Sequence, residues 1–362
     1  MVKPGKLELR SYPLPEELDP KAVLLEVLQT NVCGSDIHIF EGRHPLLKCG
    51  GLGHEMVGRV LRLGSARNQD SAGQAIAVGD RIVPMYTSVC HACENCNRGI
   101  TSHCDHAFRY FGKSDTAPFF HGATFSSHYY VHADQPFFRV PESVSTAAAA
   151  SANCALSQVL HGIDKANVGL DQTVVIQGAG GLGQAATAVA KERGARVLVM
   201  DMVPSRLALA KDFGADAVLD IRQYSTLESR IAAVQKFARA QGADVAIEVT
   251  GVPAAFSEGV SYLRPEGVYV VMGTISPGIK ADFDPGAFVR KSARLMGVNR
   301  YPPRYLHAAM RFLEAHEEKY PFGRLLDQSY ALANAQEAIE ASARREVQRA
   351  TIIPEHAERS IS

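Results

Sequence analysis

Apolar residues follow one pattern in the first part of the chain. Up to about residue 155, short apolar runs alternate with Gly and Pro, which predicts a β-rich region of short strands, as in small barrels. The strand-like segments are residues 23–27, 56–61, 82–84 and 129–132. A helical pattern begins near Thr146 and continues toward Leu160.

After Gly169 the pattern changes to strands and helices in alternation. Continuous apolar runs of strand length occur at residues 173–176, 196–200, 217–219, 244–247 and 268–271, with helix-length segments such as 205–213 and 226–240 between them. Strands that are apolar on both faces are typical of a parallel sheet covered by helices on each side. This region therefore predicts an α/β fold with a doubly wound parallel sheet. From Val298 the pattern is mixed, with helical segments at 305–315 and 335–343 and a last strand at 350–353.

The composition limits the classes of protein that remain. The 362 residues are 46% hydrophobic, which excludes wholesale disorder, and 38 basic residues balance 38 acidic ones. That balance argues against a protein that binds nucleic acid by neutralising phosphates. No apolar run approaches the ~18–20 residues of a membrane span. The N-terminal residues lack the apolar core of a signal peptide, so we expect a cytoplasmic protein.

Four of the seven cysteines lie close together, at Cys90, Cys93, Cys96 and Cys104. In a reducing compartment this spacing favours metal binding over disulfides. Four thiolates close a tetrahedral zinc site with no open position, which is typical of a structural site. One alternative is four free cysteines in a surface loop, although their polar neighbours give no reason for hydrophobic burial. Another is a zinc ribbon that binds nucleic acid, which the lack of a basic excess disfavours.

A second, dispersed group of ligand-type residues is formed by Cys33, His54 and Cys154. Two cysteines and one histidine give three protein ligands and leave the fourth position of a tetrahedral zinc open to water or substrate. Each residue alone is more typical of packing. Together with the four-cysteine loop and the glycine motif described next, they indicate a catalytic metal site.

A glycine-rich turn follows the strand-like segment 173–176 and precedes helix-forming residues. Its members are Gly178, Gly180, Gly181, Leu182 and Gly183, in the pattern of a dinucleotide-binding fingerprint. The first glycine makes the tight turn, the second lets the backbone approach a pyrophosphate, and the third permits close packing of helix and strand. Asp201 ends the next apolar run, where a carboxylate bonds the ribose hydroxyls and repels a 2′-phosphate, which favours NAD over NADP. The alternative for Asp201 is a turn or N-cap residue before Pro204.

With two zinc patterns and a dinucleotide fingerprint in this order, the sequence resembles the zinc-dependent medium-chain alcohol dehydrogenases over nearly its whole length. The resemblance implies a GroES-like catalytic domain at residues 1–155 with a structural zinc lobe at about 88–106. It further implies a Rossmann NAD-binding domain at 156–297 and a return to the catalytic domain at 298–362. Two Zn²⁺ ions per chain and NAD are the implied cofactors.

The resemblance also implies roles for individual residues. Cys33, His54 and Cys154 would ligate the catalytic zinc, and Glu55 would approach the metal during ligand exchange. Asp36 would orient His54, as metal-bound histidines generally require. The implied structural zinc ligands are Cys90, Cys93, Cys96 and Cys104.

Further implied roles concern the cofactor and the proton. Arg206 would lie near the adenosine, and Arg349 would contact the pyrophosphate. Ser35 would take the proton of the substrate and pass it through the nicotinamide ribose to His38 at the surface, where an imidazole pKa near ~6.5 suits the exchange. The alternatives are that Ser35 caps a helix and that His38 is an exposed bystander.

Three features allow this chain to be compared with individual branches of the family. Polyol dehydrogenases commonly have a glutamate where this chain has Cys154, so the metal site resembles that of the alcohol dehydrogenases. The residue that is usually Thr near the nicotinamide is Gln158 here. The context of residues 153–155 is similar to a bacterial branch, some of whose members are linked to phosphonate catabolism.

These observations predict reversible hydride transfer from an alcohol at the catalytic zinc to NAD, with a secondary or cyclic alcohol as substrate. Alternatives are a polyol or phosphonate-pathway alcohol dehydrogenase, a zinc-free quinone or enone reductase, and a non-catalytic nucleotide sensor. The reductase would not need Cys33, His54 and Cys154 together, and a sensor would not need complete ligands and a proton relay.

The substrate pocket and the assembly are less defined by sequence. We expect the pocket near Phe40, Tyr110, Phe119 and Phe120 and in the segment 299–303. We expect a homodimer or homotetramer that binds a small alcohol or carbonyl compound, and neither nucleic acid nor a membrane. The resemblance places the contact between copies at the strand 268–272 and after Ser276. Cys49 has no assigned role.

Overall fold

The computed structural model describes residues 1–44, 47–273, 277–278 and 280–355. The chain divides into two compact units. One comprises Met1–Cys154, Tyr301–Glu317 and the described part of Phe322–Ser362, and the other comprises Ala155–Arg300 and Glu318–Pro321. Within the described residues, no helix combines the length and the apolar character needed to cross a bilayer.

The strands of the described residues are β1 (Val23–Asn31), β2 (Glu55–Leu63), β3 (Arg81–Pro84), β4 (His128–Val131), β5 (Phe137–Arg139), β6 (Thr173–Gln177), β7 (Arg196–Asp201), β8 (Ala217–Asp220), β9 (Ala243–Glu248), β10 (Leu263–Val271), β11 (Arg294–Gly297), β12 (Gln328–Ala331) and β13 (Ala350–Ile353).

The α-helices are α1 (Gly34–Phe40), α2 (Glu94–Asn97), α3 (Thr146–Ala149), α4 (Ser157–Lys165), α5 (Gly181–Glu192), α6 (Pro204–Asp212), α7 (Leu227–Ala238), α8 (Pro253–Gly259), α9 (Pro285–Arg290), α10 (Arg304–His316) and α11 (Ala335–Ala343). A π-helical turn, Ala152–Leu156, lies between α3 and α4.

The first unit contains a largely antiparallel sheet in the order β12-β13-β1-β2-β3-β5, with β4 also paired to β1. Its hydrophobic core is formed by the buried faces of β1 and β2 together with β3 and β4. The predicted strands 23–27, 56–61 and 82–84 fall within β1, β2 and β3. Asn31 pairs with Glu55, so the end of β1 and the start of β2 lie side by side. The residues just beyond these positions, Cys33 and His54, are thereby brought to the same end of the sheet.

The second unit contains a parallel sheet in the order β11-β10-β9-β6-β7-β8. The chain reverses direction across the sheet between β6 and β9, which is the strand order of a doubly wound Rossmann fold. Together with the β-rich first unit, this confirms the predicted α/β fold class. In such sheets the ligand crevice lies outside the carboxyl ends of the strands at the reversal point, here Gln177 and Glu248.

The strand 268–272, where the resemblance places a contact between copies, does not lie at the edge of this sheet. Residues 268–271 belong to β10, which pairs with β9 on one side and with β11 on the other, so β11 forms the edge. The sequence of β11 contains no continuous buried apolar run, and its residues are largely exposed, so apolar periodicity does not reveal it. Ser276, where the second expected contact begins, lies outside the described residues.

Candidate active site

The four-cysteine loop forms a compact group of sulfur atoms. The Sγ atoms of Cys90, Cys93, Cys96 and Cys104 all lie within 4.8 Å of one another, with 4.0 Å between Cys90 and Cys96 and 4.0 Å between Cys93 and Cys104. A tetrahedral zinc with Zn–S bonds of ~2.3 Å separates its ligands by about 3.8 Å, so this donor set fits a closed zinc site.

Backbone amides stabilise negative charge on these sulfurs. Cys93 N donates to Cys90 Sγ at 3.3 Å, and Cys90 N and His106 N donate to Cys104 Sγ at 3.4 Å each. Hydrogen bonds from the backbone of Ala92 and Cys93 lower the pKa of Cys90 to about 6. The lowered pKa favours the thiolate of Cys90, which is the form that binds metal, whereas burial raises the pKa values of Cys96 and Cys104.

A second group of potential ligands brings together residues that are far apart in sequence. Ligand atoms of Cys33, His54, Glu55 and Cys154 lie within 4.8 Å of one another, and the two Sγ atoms are 3.9 Å apart. His54, Glu55 and Cys154 are buried, and Cys33 is half-buried. Two sulfurs and one imidazole nitrogen provide three donors for a tetrahedral zinc, and the fourth position falls to Glu55, the fourth member of the group, or to another molecule.

Asp36 connects two members of this group. It is fully buried on α1, where Oδ2 accepts a hydrogen bond from Cys33 N at 2.9 Å and Oδ1 lies 3.2 Å from His54 Nδ1. Burial lowers the pKa of His54, but the charges of Asp36 and Cys33 outweigh it and raise the pKa well above the usual value. A carboxylate at Nδ1 leaves Nε2 for a metal and fixes the ring orientation.

Glu55 forms a buried ion pair with Arg349. Arg349 Nη2 donates to Glu55 Oε1, while Glu55 Oε2 is buried without a hydrogen-bond partner among the described residues. Burial raises the pKa of Glu55 to about 7, against the opposing charge of Arg349. Arg349, predicted at the pyrophosphate, therefore lies against the carboxylate beside the proposed ligands. The partners are separated by 294 positions in the sequence, which explains why sequence patterns do not indicate this contact.

Local backbone structure places Cys154 in the group. It lies in the π-helical turn Ala152–Leu156, and π turns of this kind often occur at functional sites. The preceding residue, Asn153, is fully buried and donates through Nδ2 to His54 O and Pro84 O at 2.9 Å each. Neither the π turn nor this amide was recognised from the sequence.

Tyr86 is a further residue that the sequence did not single out. Its ring meets the His54 ring edge-on, with centroids 5.2 Å apart and planes at 71°. It also meets Tyr301 edge-on at 6.3 Å. The one sequence feature that could have indicated Tyr86 is its position, four residues before Cys90, the first cysteine of the loop. Tyr301 belongs to the predicted pocket segment 299–303.

The predicted proton-relay residues both lie on α1. Ser35 and His38 are three residues apart, which places them on one face of the helix. His38 is half-buried, so part of its side chain remains exposed to solvent. Its Nδ1 atom is buried and has no hydrogen-bond partner among the described residues. Burial, followed by the charge of Arg43, lowers the pKa of His38.

The glycine-rich turn lies between β6 and α5, as predicted. Gly178 has a φ of +106°, which favours glycine, and an added Cβ there would lie 2.9 Å from Thr250 Cγ2. At Gly183 an added Cβ would lie 1.9 Å from Gly178 O, whereas at Gly180 no atom lies within 4 Å. Gly183 is therefore required by packing within the unit, and Gly180 faces open space.

Asp201 is tied to the backbone of its surroundings. Its Oδ2 accepts from Ala179 N at 2.7 Å, and its Oδ1 accepts from Met202 N at 2.7 Å and from Val203 N at 2.9 Å. The Asp201 side chain therefore stabilises the turn after β7, which is the alternative role given for it from the sequence. It also connects the end of β7 to the glycine-rich turn. Arg206 is half-buried on α6.

The expected pocket aromatics have defined positions. Phe40 is buried in a core cluster with α11, and Phe119 stacks on Tyr12 at 5.0 Å. Phe120 is also buried. Tyr110 stacks on His132 at 3.6 Å.

Two other residues singled out in the sequence are also placed. Gln158 is buried on α4, and its Nε2 lies 3.4 Å from Val298 O. Cys49 is exposed.

Family models cover most of the chain. Residues 19–142 match the model described as alcohol dehydrogenase GroES-like domain, and residues 181–315 match the model described as zinc-binding dehydrogenase. The ligand groups and the glycine-rich turn lie within or beside these two matches.

Individual proteins of known name are similar over nearly the full length. The chain is 30% identical over 349 residues to 5-exo-hydroxycamphor dehydrogenase of Pseudomonas putida, covering 94% of this chain and 93% of the relative. It is 28% identical to sorbitol dehydrogenase of Halalkalibacterium halodurans, with 88% of each chain covered.

A solved structure shows the same fold. The crystal structure of an alcohol dehydrogenase from Thermotoga maritima superimposes with a TM-score of 0.85 at 29% identity and covers 96% of this chain and 94% of that chain. The sequence resemblance to the family is confirmed by these matches. The chain is an oxidoreductase that belongs to the zinc-dependent medium-chain alcohol dehydrogenase family.

Proposed function

We propose that this protein is an NAD-dependent zinc alcohol dehydrogenase that interconverts a secondary or cyclic alcohol and the corresponding ketone. The observation that carries the proposal is the convergence of Cys33, His54 and Cys154. Their three donor atoms fit a catalytic zinc with one open position. The Cys90, Cys93, Cys96 and Cys104 group fits a second, structural zinc.

The chemistry of the catalytic centre divides between the metal and the protein. When bound, zinc supplies a Lewis acid that lowers the pKa of an alcohol hydroxyl. Asp36 holds the His54 ring in one tautomer and fixes the backbone of Cys33, so it keeps two of the three donors in place. Glu55 stays paired with Arg349 beside the donors, which limits the cost of burying its charge.

Ser35 and His38 are proposed to move the proton released by the substrate. Ser35 accepts it and His38 returns it to solvent, with a ribose hydroxyl of the cofactor between them. The half-burial of His38 and its lowered pKa keep the imidazole neutral near pH 7, so that Nδ1 or Nε2 is able to accept a proton.

The second unit is proposed to hold NAD, which supplies the hydride acceptor. The glycine-rich turn of Gly178, Gly180, Gly181, Leu182 and Gly183 presents backbone amides at the start of α5 to the pyrophosphate. Asp201 is proposed to bond the adenosine ribose and to repel a 2′-phosphate, with Arg206 beside the adenosine. Arg349 is proposed to contact the pyrophosphate.

The substrate class follows from the ligands and the relatives. One relative is named for a cyclic secondary alcohol, 5-exo-hydroxycamphor, and others are named for the polyol sorbitol and for xylulose. Because this chain has Cys154 where polyol dehydrogenases commonly have a glutamate, a simple alcohol is favoured over a polyol as the substrate. A polyol or a phosphonate-pathway alcohol is the alternative substrate. A zinc-free quinone or enone reductase and a nucleotide sensor are disfavoured, because neither requires the Cys33, His54 and Cys154 set.

We infer a homodimer or homotetramer in the cytoplasm. The edge strand β11 is the position for a sheet-to-sheet contact, since β10 is paired on both sides.

The proposal is tested by substitution of one ligand. Cys154→Ser should remove one of two zinc ions and abolish NADH formation from a panel of primary, secondary, cyclic and polyol alcohols, while NAD binding persists. Cys49→Ser is the matched control, because Cys49 is exposed and lies outside both ligand groups, and it should keep both zinc ions and full turnover. Normal turnover of Cys154→Ser would refute the ligand assignment.

A further inference from the structure

Asn153 makes an unusual set of contacts for a residue with no assigned role. It is fully buried, and its Nδ2 atom donates one hydrogen bond to His54 O and one to Pro84 O, each at 2.9 Å. It directly precedes Cys154 in the π-helical turn. The side-chain amide of Asn153 therefore connects the backbone of His54 to the turn that carries Cys154.

The second acceptor of the Asn153 amide, Pro84 O, connects it to the segment that carries Tyr86. Pro84 ends β3 two residues before Tyr86, whose ring meets the His54 ring edge-on at 5.2 Å. The hydroxyl of Tyr301 donates to the backbone carbonyl of Asn153, and the Tyr301 ring also meets the Tyr86 ring. Asn153 thus lies where the segments carrying Cys154, His54 and the two tyrosine rings come together.

Only a primary amide satisfies this arrangement within the available space. Its single nitrogen carries two N–H donors, one for each carbonyl, whereas aspartate and leucine of similar size have none. A buried carbonyl that loses its donor carries the full cost of desolvation, so the two strand ends would shift to find other donors. A shift of His54 relative to Cys154 changes the distances among the three ligand atoms.

We propose that Asn153 is a positioning residue of the metal centre, which sets the separation of Cys154 from His54 and thereby the affinity and geometry of the three-donor site. The inference rests on the proposed function, because it requires that Cys33, His54 and Cys154 bind the metal. It assigns to Asn153 no contact with substrate or cofactor.

The second unit offers a matched control. Gln184 is also fully buried, and its Nε2 donates to Ala179 O and to Arg206 O at 2.9 Å each. The carbonyl oxygens of both amide side chains, Asn153 Oδ1 and Gln184 Oε1, are buried without a partner among the described residues. Loss of either amide removes two hydrogen bonds to backbone carbonyls, but only Asn153 adjoins the ligands.

The experiment measures zinc affinity and cobalt spectra of purified full-length variants. Zinc binding at the Cys33, His54 and Cys154 site is measured by competition with a chromophoric chelator, and the visible d–d bands are recorded after loading with Co²⁺ alone. Asn153→Ala should weaken zinc binding at that site by about 10–100-fold, the range found when partners of metal ligands are removed, and should shift the cobalt bands. Gln184→Ala should lower the melting temperature comparably and leave the zinc affinity and the cobalt bands unchanged.

Tyr301→Phe keeps the test decisive if Asn153→Ala does not fold. It removes only the hydroxyl bond to the Asn153 carbonyl and should weaken zinc binding in the same direction by a smaller factor. Wild-type affinity and wild-type cobalt bands in folded Asn153→Ala, or in Tyr301→Phe when the first variant is unfolded, overturn the inference and leave the proposed function intact. A wild-type protein that binds one metal ion, in the four-cysteine loop alone, overturns both.

Discussion

Two glycines of the same turn should respond differently to replacement by alanine. An added Cβ at Gly183 would lie 1.9 Å from Gly178 O and 2.9 Å from the Gly178 carbonyl carbon. At Gly180, which precedes α5 with a φ of −75°, no atom lies within 4 Å of the added Cβ. At Gly183 the atoms of the protein leave no space for a side chain. At Gly180 the protein leaves that space open, so only a bound molecule would clash with a side chain there.

The expected magnitudes follow from these distances. Cβ atoms essentially never approach another heavy atom within 3.0 Å, so in Gly183→Ala the turn and α5 must move apart by about 1 Å. Overpacking of this kind costs about 1–3 kcal/mol of stability or more. In Gly180→Ala, the gain of about 0.4–1 kcal/mol from a stiffer unfolded chain opposes the poorer capping by alanine, so the net change should stay below about 1 kcal/mol.

Two measurements separate the effects. Urea unfolding should show a large loss of stability in Gly183→Ala and almost none in Gly180→Ala. NADH binding, followed by its fluorescence, should weaken at least about tenfold in Gly180→Ala, which corresponds to about 1.4 kcal/mol of steric conflict with the pyrophosphate. Equal destabilisation of both variants would refute the packing argument. Unchanged NADH affinity in stable Gly180→Ala would refute the placement of the pyrophosphate.

Two further predictions concern charge. His132 is buried beside His121, with 2.8 Å between their ring nitrogens, and burial followed by the charges of His121 and Arg109 lowers the pKa of His132 to about 3. Between that value and the ~6.5 of the unfolded chain, the unfolded state binds more protons, so stability is complete above pH ~6.5 and should fall by up to about 1 kcal/mol per pH unit below it. Urea unfolding across this range checks the slope, which should decrease in His132→Gln; an equal slope would contradict the assignment. Asp201→Asn removes the charge of the side chain and, because an amide nitrogen cannot accept, the hydrogen bonds of one of its two oxygens to the backbone. In the folded variant the ratio of kcat/KM for NAD to that for NADP should fall at least about tenfold, and an unchanged ratio would exclude Asp201 from cofactor selection.

The sequence predicted those parts of the fold that depend on local patterns. Continuous apolar runs correctly located β6, β7 and β9, because strands buried on both faces need apolar side chains at every position. The short β5 and the exposed β11 were missed, because three residues carry too little periodicity and an edge strand is not buried on both faces. Cysteine spacing correctly indicated which residues would come together in the four-cysteine loop.

The contacts around the second ligand group depend on the fold and not on local sequence. The Glu55–Arg349 pair and the Asn153 amide join segments tens to hundreds of residues apart, and no periodicity carries that information. Tyr86 was missed for the same reason, since only the pairing of β2 and β3 brings it to His54. The half-burial of His38 likewise depends on packing around a seven-residue helix.

The zinc content of the purified protein tests the central claim most directly. Metal analysis of the full chain, scaled to protein concentration, should give two zinc ions per chain in the wild type and one in Cys154→Ser. A single zinc ion in the wild type would contradict a catalytic metal at Cys33, His54 and Cys154, and its absence altogether would contradict both sites.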